Sequence, residues 1–250
     1  MEEVVEGNGI EGLGELNREE QGRCLSSYVD EAGSMESHRY YLSRRTVMEM
    51  LRDRGYSVPS SEIDLSLPQF RIIHSQNPEI DRLRFSATHR TDPSKRVLVV
   101  FCGPSIVKVN VIRGVATQIV NREGLTGIIL IVQNQVTNQA LKAVKLFQFK
   151  VENFQITDLL VNITKHVLKP KHRVLTDREK QNLLKKYNIE EKQVFSWRTQ
   201  YTICMTSMKL LRLLQQDAIA RYYGLERGQV VKVTYGGEIT QLHVTYRCVW

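Results

Sequence analysis

Residues Ile128 to Val132, within the stretch GIILIVQ, are apolar without a break. A strand with one wet face alternates apolar and polar side chains. A continuous run needs cover on both faces, as in a parallel sheet flanked by helices. Bounded by Gly127 and Gln133, this run is short for a buried helix and predicts a central strand at Gly127–Gln133. The sequence around it supplies the rest of an α/β layer. Arg82–Thr88 and Arg96–Phe101 read as strands, and GPSIVKVNVIRGVATQIVNREG as a helix with Ile112, Val115 and Ile119 on one face. Thr137–Phe147 reads as another helix and Phe149–Gln155 as another strand. Ahead of them, Glu36–Gly55 (ESHRYYLSRRTVMEMLRDRG) has the period of an amphipathic helix. Tyr40, Val47 and Leu51, with Met48 and Met50, form its apolar stripe; Arg39, Arg44, Arg45 and Arg52 lie off it, and Gly55 is the stop. A short helix is expected at Ser61–Leu67. Together these predict an α/β first domain over residues 30–164.

KHVLKPKHR (Lys165–Arg173), basic and broken by Pro170, reads as a linker. Beyond it, Thr176 and Glu179 form the T-x-x-E capping box of a helix that carries Leu183, Leu184 and Tyr187. Asp217 is a good N-cap for a short helix in which Ile219, Tyr222 and Tyr223 share a face, and Gly224 suits the left-handed stop. Val231, Val233 and Tyr235 alternate along a strand, Gly236-Gly237 signals a hairpin turn, and Leu242, Val244, Tyr246 and Cys248 alternate on the return. Residues 165–250 are thus a small α+β domain.

Residues 1–29, rich in Glu and Gly and without apolar period, predict a mobile tail. The tail contains Gly7, Gly9 and Gly12 in G-x-G-x-x-G spacing, but no strand leads into it, so a dinucleotide site is rejected. Its acidic opening, MEEVVEG, is unlike a targeting segment, and no apolar run reaches the ~18 residues of a membrane span. The formal charge of +8 hides a division. Residues 1–20 hold seven Glu and one Arg, a balance of −6, which leaves +14 on the remainder. A basic body suits a polyanion or an acidic protein surface, and equally a set of solvated helix faces. Cys24, Cys102, Cys204 and Cys248 lie far apart with no C-x-x-C pair, which argues for reduced thiols and against a disulfide frame or zinc site.

A catalytic centre is not expected. His166 and His172 are separated by Pro170 and share no helical face; H-E-x-x-H, P-loop and G-x-S-x-G motifs do not occur. Glu190-Glu191-Lys192 holds the acid-x-Lys fragment of a metal-dependent nuclease, yet follows a helix and lacks the partner Asp-Pro. Asn162-Ile163-Thr164 is a glycosylation triplet without a secretory context. No catalytic residue, metal ligand or cofactor is assigned; the weight falls on binding.

The stretch FQITDLLVNITKHVLKPKHRVLTDREKQNLLKKYNIEEKQ, with DAIARYYGLERGQVVKV and VTYR, resembles the fifth subunit of nuclear RNA polymerases, whose last part has a small archaeal polymerase subunit as its counterpart. MLRDRGY (Met50–Tyr56) is a second signature of that family. The resemblance implies a nuclear, non-catalytic polymerase subunit of two domains: an N-terminal jaw flanking downstream DNA and a C-terminal assembly domain docked on the largest subunit. It also implies that the face of Arg221, Tyr222, Tyr223, Gly224, Leu225 and Arg227 contributes to that docking, as an aromatic and Arg patch would. The other reading of the tyrosines is packing of the helix on its own sheet. QNQVTNQALK resembles the family's jaw loop, in which a Thr-Pro pair approaches DNA; Thr137 matches and Asn138 replaces the proline. Any contact there is expected to be weak and independent of sequence, and a helix cap in solvent is the other reading.

The shared form of this subunit carries an R-P-S-E-T-A-G-R type segment between its last strands. Here YGGEITQLH stands instead, and with the acidic start, ESHRYYLSRR and the terminal CVW it resembles the divergent plant form of RNA polymerase V, which acts in RNA-directed DNA methylation. A subunit shared by polymerases I, II and III, and a free-standing nucleic-acid-binding protein, are the competing readings. One segment departs from the family altogether. Val194–Lys209 (VFSWRTQYTICMTSMK) intervenes before the Asp217 helix, and Leu211 stands where the family has proline. Its apolar residues have no evident core to join, so it is expected to be a translated unspliced segment or altered gene model, standing as an atypical inserted loop that hinders assembly; an isoform-specific binding loop is the other reading.

Overall fold

The computed structural model describes residues 34–118, 125–147, 149–187, 210–236 and 243–250. The expectations for the tail at 1–29, for Ile119, for Glu190–Lys192, for the insertion at 194–209 and for Gly237 and Leu242 lie outside these residues.

The first sheet has the order β1 (Phe85–Thr88), β2 (Arg96–Phe101), β3 (Leu125–Val132), β4 (Lys150–Gln155). β1 runs antiparallel to β2, and β2, β3 and β4 are mutually parallel. β3 shows why its run is apolar throughout. Ile129 and Ile131 pack into one core with Tyr40, Val47, Met50 and Leu51 of α1 (Met35–Asp53). Ile128, Leu130 and Val132 face the opposite side and meet Ile112 of α4 (Val109–Gln118) and Ala140 of α5 (Asn138–Val144). Two helical layers sandwich the sheet, and each of these buried aliphatic side chains contributes on the order of 1.5–3 kcal/mol. Between α1 and β1 lie α2 (Ser60–Ile63) and α3 (Leu67–His74), the latter opened by a Ser66/Gln69 capping box with Pro68 in its first turn. The stop after α1 requires glycine: Gly55 has φ +92°, and a Cβ there would stand 2.9 Å from the His89 ring.

The second sheet has the order β5 (Lys171–Val174), β7 (Val230–Tyr235), β8 (His243–Val249), β6 (Leu211–Leu213), with only β6 and β8 parallel. Val231, Val233 and Val249 pack with Ala220 of α7 (Ala218–Tyr223) on one face. Val230 and Cys248 pack with Leu183 of α6 (Asp177–Lys186) on the other. The Thr176/Glu179 capping box is present as expected. Cys102 and Cys248 are buried free thiols, and burial pushes the Cys102 thiol up to about 11.

Five expectations need correction. The single helix at Ser61–Leu67 is two, broken at Asp64–Ser66, where Ser66 caps the second. Arg82–Leu83 belongs to a 3-10 turn, so β1 begins only at Phe85. The basic stretch 165–173 is not wholly a linker, because Lys171–Val174 pairs with β7 as an edge strand. Arg44 does not stand free of the core side: its side chain is 11% exposed, bonded to Glu62 at 2.7 Å and lying over the Phe85 ring. In α7, Ala220 and Tyr222 are the buried residues, whereas Ile219 and Tyr223 are only partly covered.

Candidate functional site

The predicted docking helix, α7, is six residues long, far below the ~12 residues at which an isolated helix becomes marginally stable. Its ends are therefore secured from outside. At the start, the Asp217 carboxylate accepts from the Ile219 N–H at 2.9 Å. At the finish, Gly224 takes the left-handed conformation (φ +63°, ψ +34°), and Leu225 N–H returns to the Ala220 carbonyl. The last carbonyls of a helix lack partners and carry its partial negative charge. Here a cation from the other sheet's domain meets them. Arg54, the C-cap residue of α1, donates through Nε to the Tyr222 carbonyl at 2.8 Å and through Nη2 to the Arg221 carbonyl at 2.6 Å. Nη2 also donates to the Glu152 carboxylate of β4 at 2.8 Å.

Tyr222 leans the same way. Its hydroxyl donates to Asp53 at 2.8 Å and accepts from the Asn162 amide at 3.4 Å. Burial pushes this phenol far up, and the Asp53 charge adds to it. Asn162 also donates to Glu49 at 2.6 Å, and Lys165 Nζ donates to the other Glu49 oxygen at 2.6 Å. Glu49 is 3% exposed. Burial alone would push its carboxyl up, but the hydrogen bonds from Lys165 and Asn162 and the charges of Lys165 and Arg45 outweigh that and hold it below its ordinary value.

The six predicted docking residues therefore divide. Tyr222 and Leu225 are buried. Arg221 is engaged with Asp158 at 3.3 Å and the Asn153 carbonyl at 2.7 Å, and its guanidinium lies over the Phe154 ring. The Gly224 carbonyl accepts from Lys150 Nζ. Tyr223 is half-buried, edge-on to Tyr222, with Lys169 over its ring. Arg227 is exposed and lies over the indole of Trp250, as Arg212 does. Tyr222 neither presents an open aromatic surface nor only packs on its own sheet. It anchors α7 to the first domain, because Arg54 and Asp53 draw the helix end toward them. Reasoning from sequence missed Arg54, Asp53, Glu49, Glu152 and Asn162; the one local signal was MLRDRGY, which contains Asp53 and Arg54.

Thr137 and Asn138 follow the carboxyl end of β3, beside the segment after β2 where Val107 bridges to Val136. Thr137 caps α5, its Oγ1 accepting from the Ala140 N–H at 3.3 Å and approaching the Val107 carbonyl at 3.3 Å; Asn138 is exposed. The cap is a local structural role. Asn138 leaves the surface beside it polar.

The "RNA polymerase Rpb5, N-terminal domain" family model matches residues 34–119, and the "RNA polymerase Rpb5, C-terminal domain" model matches residues 161–249. Residues 125–155, between the matched spans, carry β3, α5 and β4, which complete the first sheet. The chain is 59% identical to DNA-directed RNA polymerase V subunit 5A of Arabidopsis thaliana, over 91% of this chain and 95% of that protein. It is 58% identical to DNA-directed RNA polymerases IV and V subunit 5B of the same plant, over 86% of this chain and 92% of that protein. It is 31% identical to the RPABC1 subunit of DNA-directed RNA polymerases I, II, and III of Caenorhabditis elegans, over 86% and 97% respectively.

Proposed function

This chain belongs to the RNA polymerase Rpb5 family, and from that premise we propose that it is a non-catalytic subunit of a plant RNA polymerase of the V type, working in the nucleus in RNA-directed DNA methylation. The observation that carries the assignment to that polymerase is the 59% identity to subunit 5A across 91% of the chain. A second reading, a subunit used by polymerases IV and V together, is favoured by the 58% identity to subunit 5B, whose name covers both.

In this reading the domain of residues 165–250 docks on the largest subunit, and the domain of residues 30–164 is a jaw beside downstream duplex DNA. Thr137 and Asn138 stand on the DNA side and make at most weak contacts that ignore sequence. Of the expected docking residues, Tyr223 and Arg227 face the partner, while Arg221, Tyr222, Gly224 and Leu225 shape the surface from beneath. The Arg54 and Tyr222 contacts support a structural role for the joint: it fixes the angle at which the jaw leaves the docking domain. Purification of the tagged full chain from plant nuclei, followed by mass spectrometry of the largest subunits, tests the assignment. One specialised largest subunit is expected; two would favour the IV-and-V reading, and those of polymerases I, II and III would overturn both.

A further inference from the structure

Unpaired positive charge gathers on one side of the first sheet. On the α1 side the carboxylates are met: Glu49 by Lys165, Asp53 by Arg52, Glu62 by Arg44 and Glu152 by Arg54. On the other side, α4 and α5 cover Ile128, Leu130 and Val132. There Lys108, Arg113, Lys142 and Lys145 are exposed, and none has an ion pair among the described residues. No Asp or Glu lies within 103–118 or 125–151. The same surface carries Ile106, 53% exposed, and Leu146, 84% exposed. The segment before α4 and the start of α5 are joined, since the Val107 N–H donates to the Gln135 carbonyl at 3.4 Å and the Thr137 N–H donates to the Val107 carbonyl at 3.2 Å. Lysines and aliphatic side chains therefore interleave on one acid-free face.

We propose that the α4–α5 face is the docking surface for residues 2–20 of the same chain. That segment, EEVVEGNGIEGLGELNREE, holds seven Glu and one Arg, interspersed with Val4, Val5, Ile10, Leu13 and Leu16. It repeats the pattern of the face with the charge reversed, so its carboxylates meet the lysines while its aliphatic side chains cover Ile106 and Leu146. A polyanion built of phosphates alone would satisfy the lysines and leave those two side chains in water. Reach is sufficient. Near its start, α1 lies beside the segment that leads into α5, because the Tyr40 hydroxyl accepts from the Gln133 amide at 2.6 Å. The thirteen residues 21–33 that precede α1 can span roughly 40 Å at most. Such a tether keeps the segment at about millimolar effective concentration. Exposed ion pairs contribute little one by one, so the aliphatic contacts and the tether are both needed, and salt weakens the contact. The consequence is that the face is screened from nucleic acid until a stronger polyanion displaces the segment.

The test uses the purified full chain and a carbodiimide, which joins a carboxylate to a lysine ammonium only where the two touch. The Glu residues of 2–20 should couple to Lys108, Lys142 and Lys145 at least about fivefold more often than to Lys171 and Lys185, exposed lysines of the second domain. Ile106→Ser/Leu146→Ser keeps every charge and should lower that coupling about threefold, with the thermal midpoint unchanged. Coupling spread evenly over the lysines overturns the proposal. So does coupling found only between copies, told apart by mixing isotopically labelled and unlabelled chain. In a second arm, a duplex of about 20 base pairs should bind about tenfold more tightly when all seven Glu are replaced by Gln, and Lys142→Gln/Lys145→Gln in that background should remove most of the gain. Equal affinity with and without the carboxylates would make this face an open nucleic-acid surface and overturn the proposal.

Discussion

The Tyr222 hydroxyl donates to the Asp53 carboxylate at 2.8 Å, joining residues 169 apart in sequence and uniting the end of α7 with the end of α1. The adjacent residue on each side repeats the link, since Arg54 takes up the carbonyls of Arg221 and Tyr222. Tyr222→Phe keeps the packing and removes the bond to a charged group, which should cost about 1–2 kcal/mol. Tyr222→Ala also opens a cavity and should cost about 4 kcal/mol. Urea denaturation of the two variants, compared at constant slope, checks the ratio.

Arg54 donates to two carbonyls at the end of α7 and to one carboxylate at once. Its side chain is 9% exposed and that of Glu152 is 19% exposed. Arg54→Ala should destabilise the chain by about 3 kcal/mol, because it removes three charge-assisted hydrogen bonds, leaving Glu152 with only Lys150 at 3.6 Å and the Arg221 carbonyl with only the Gly224 N–H. Arg54→Lys should recover little of this, since an ammonium lacks the planar fork that spans the three acceptors. A thermal midpoint for the lysine variant equal to that of the unsubstituted chain would contradict this geometry.

Gly224 leaves no room for a side chain beside Arg54. A Cβ there would lie 3.0 Å from Arg54 Cζ, in a backbone conformation with φ +63°. Gly224→Ala should cost at least the ~1 kcal/mol of a left-handed non-glycine residue, and more as the guanidinium is displaced. Combined with Arg54→Ala, where the obstruction is gone, it should add less than its separate effect. A double-mutant cycle measures the difference.

The Glu49 carboxyl is held below its ordinary value of 4.5 in the folded chain. A depressed folded value means stabilisation that is complete above the unfolded-state value and is lost as pH falls through the folded one. Unsubstituted chain should therefore exceed Glu49→Gln in thermal midpoint at neutral pH, and the gap should close as pH drops below about 4.5. Midpoints recorded from neutral to acid pH would show it; a gap that widens on acidification would contradict it.

Elements built from neighbouring residues were legible in the sequence. The unbroken Ile128–Val132 run announced a strand with two covered faces, and Thr176/Glu179 and Asp217/Gly224 marked helix ends, because each signal lies within a few residues. The joint was not legible. Its bonds span 60 to 169 residues, and a charged side chain awaiting a distant carbonyl leaves no period behind. Arg54 and Asp53 read as the polar end of an amphipathic helix, and Glu49 broke no pattern that predicts a buried charge. Lys171–Val174 was hidden for a related reason: an edge strand with exposed Lys171 and Arg173 has the composition of a linker.

Leu211 occupies the first position of β6, an edge strand paired only with β8 and 55% exposed at that residue. Proline is tolerated at such a position. Deleting Val194–Lys209 together with Leu211→Pro should therefore raise the thermal midpoint and the recovery of the chain in the polymerase. A fall in either would make the segment an integral part of the protein.

The joint itself is tested most directly by a distance measurement. Spin labels at Lys142→Cys and Asn182→Cys, both exposed and one in each domain, with Cys24 and Cys204 replaced by serine, report the separation of the two domains by electron–electron resonance. A first domain fixed by Arg54 and Tyr222 predicts one narrow distance distribution, which broadens in Arg54→Ala/Tyr222→Ala. A broad distribution in the chain with the joint intact, or one that the double substitution leaves unchanged, would contradict it.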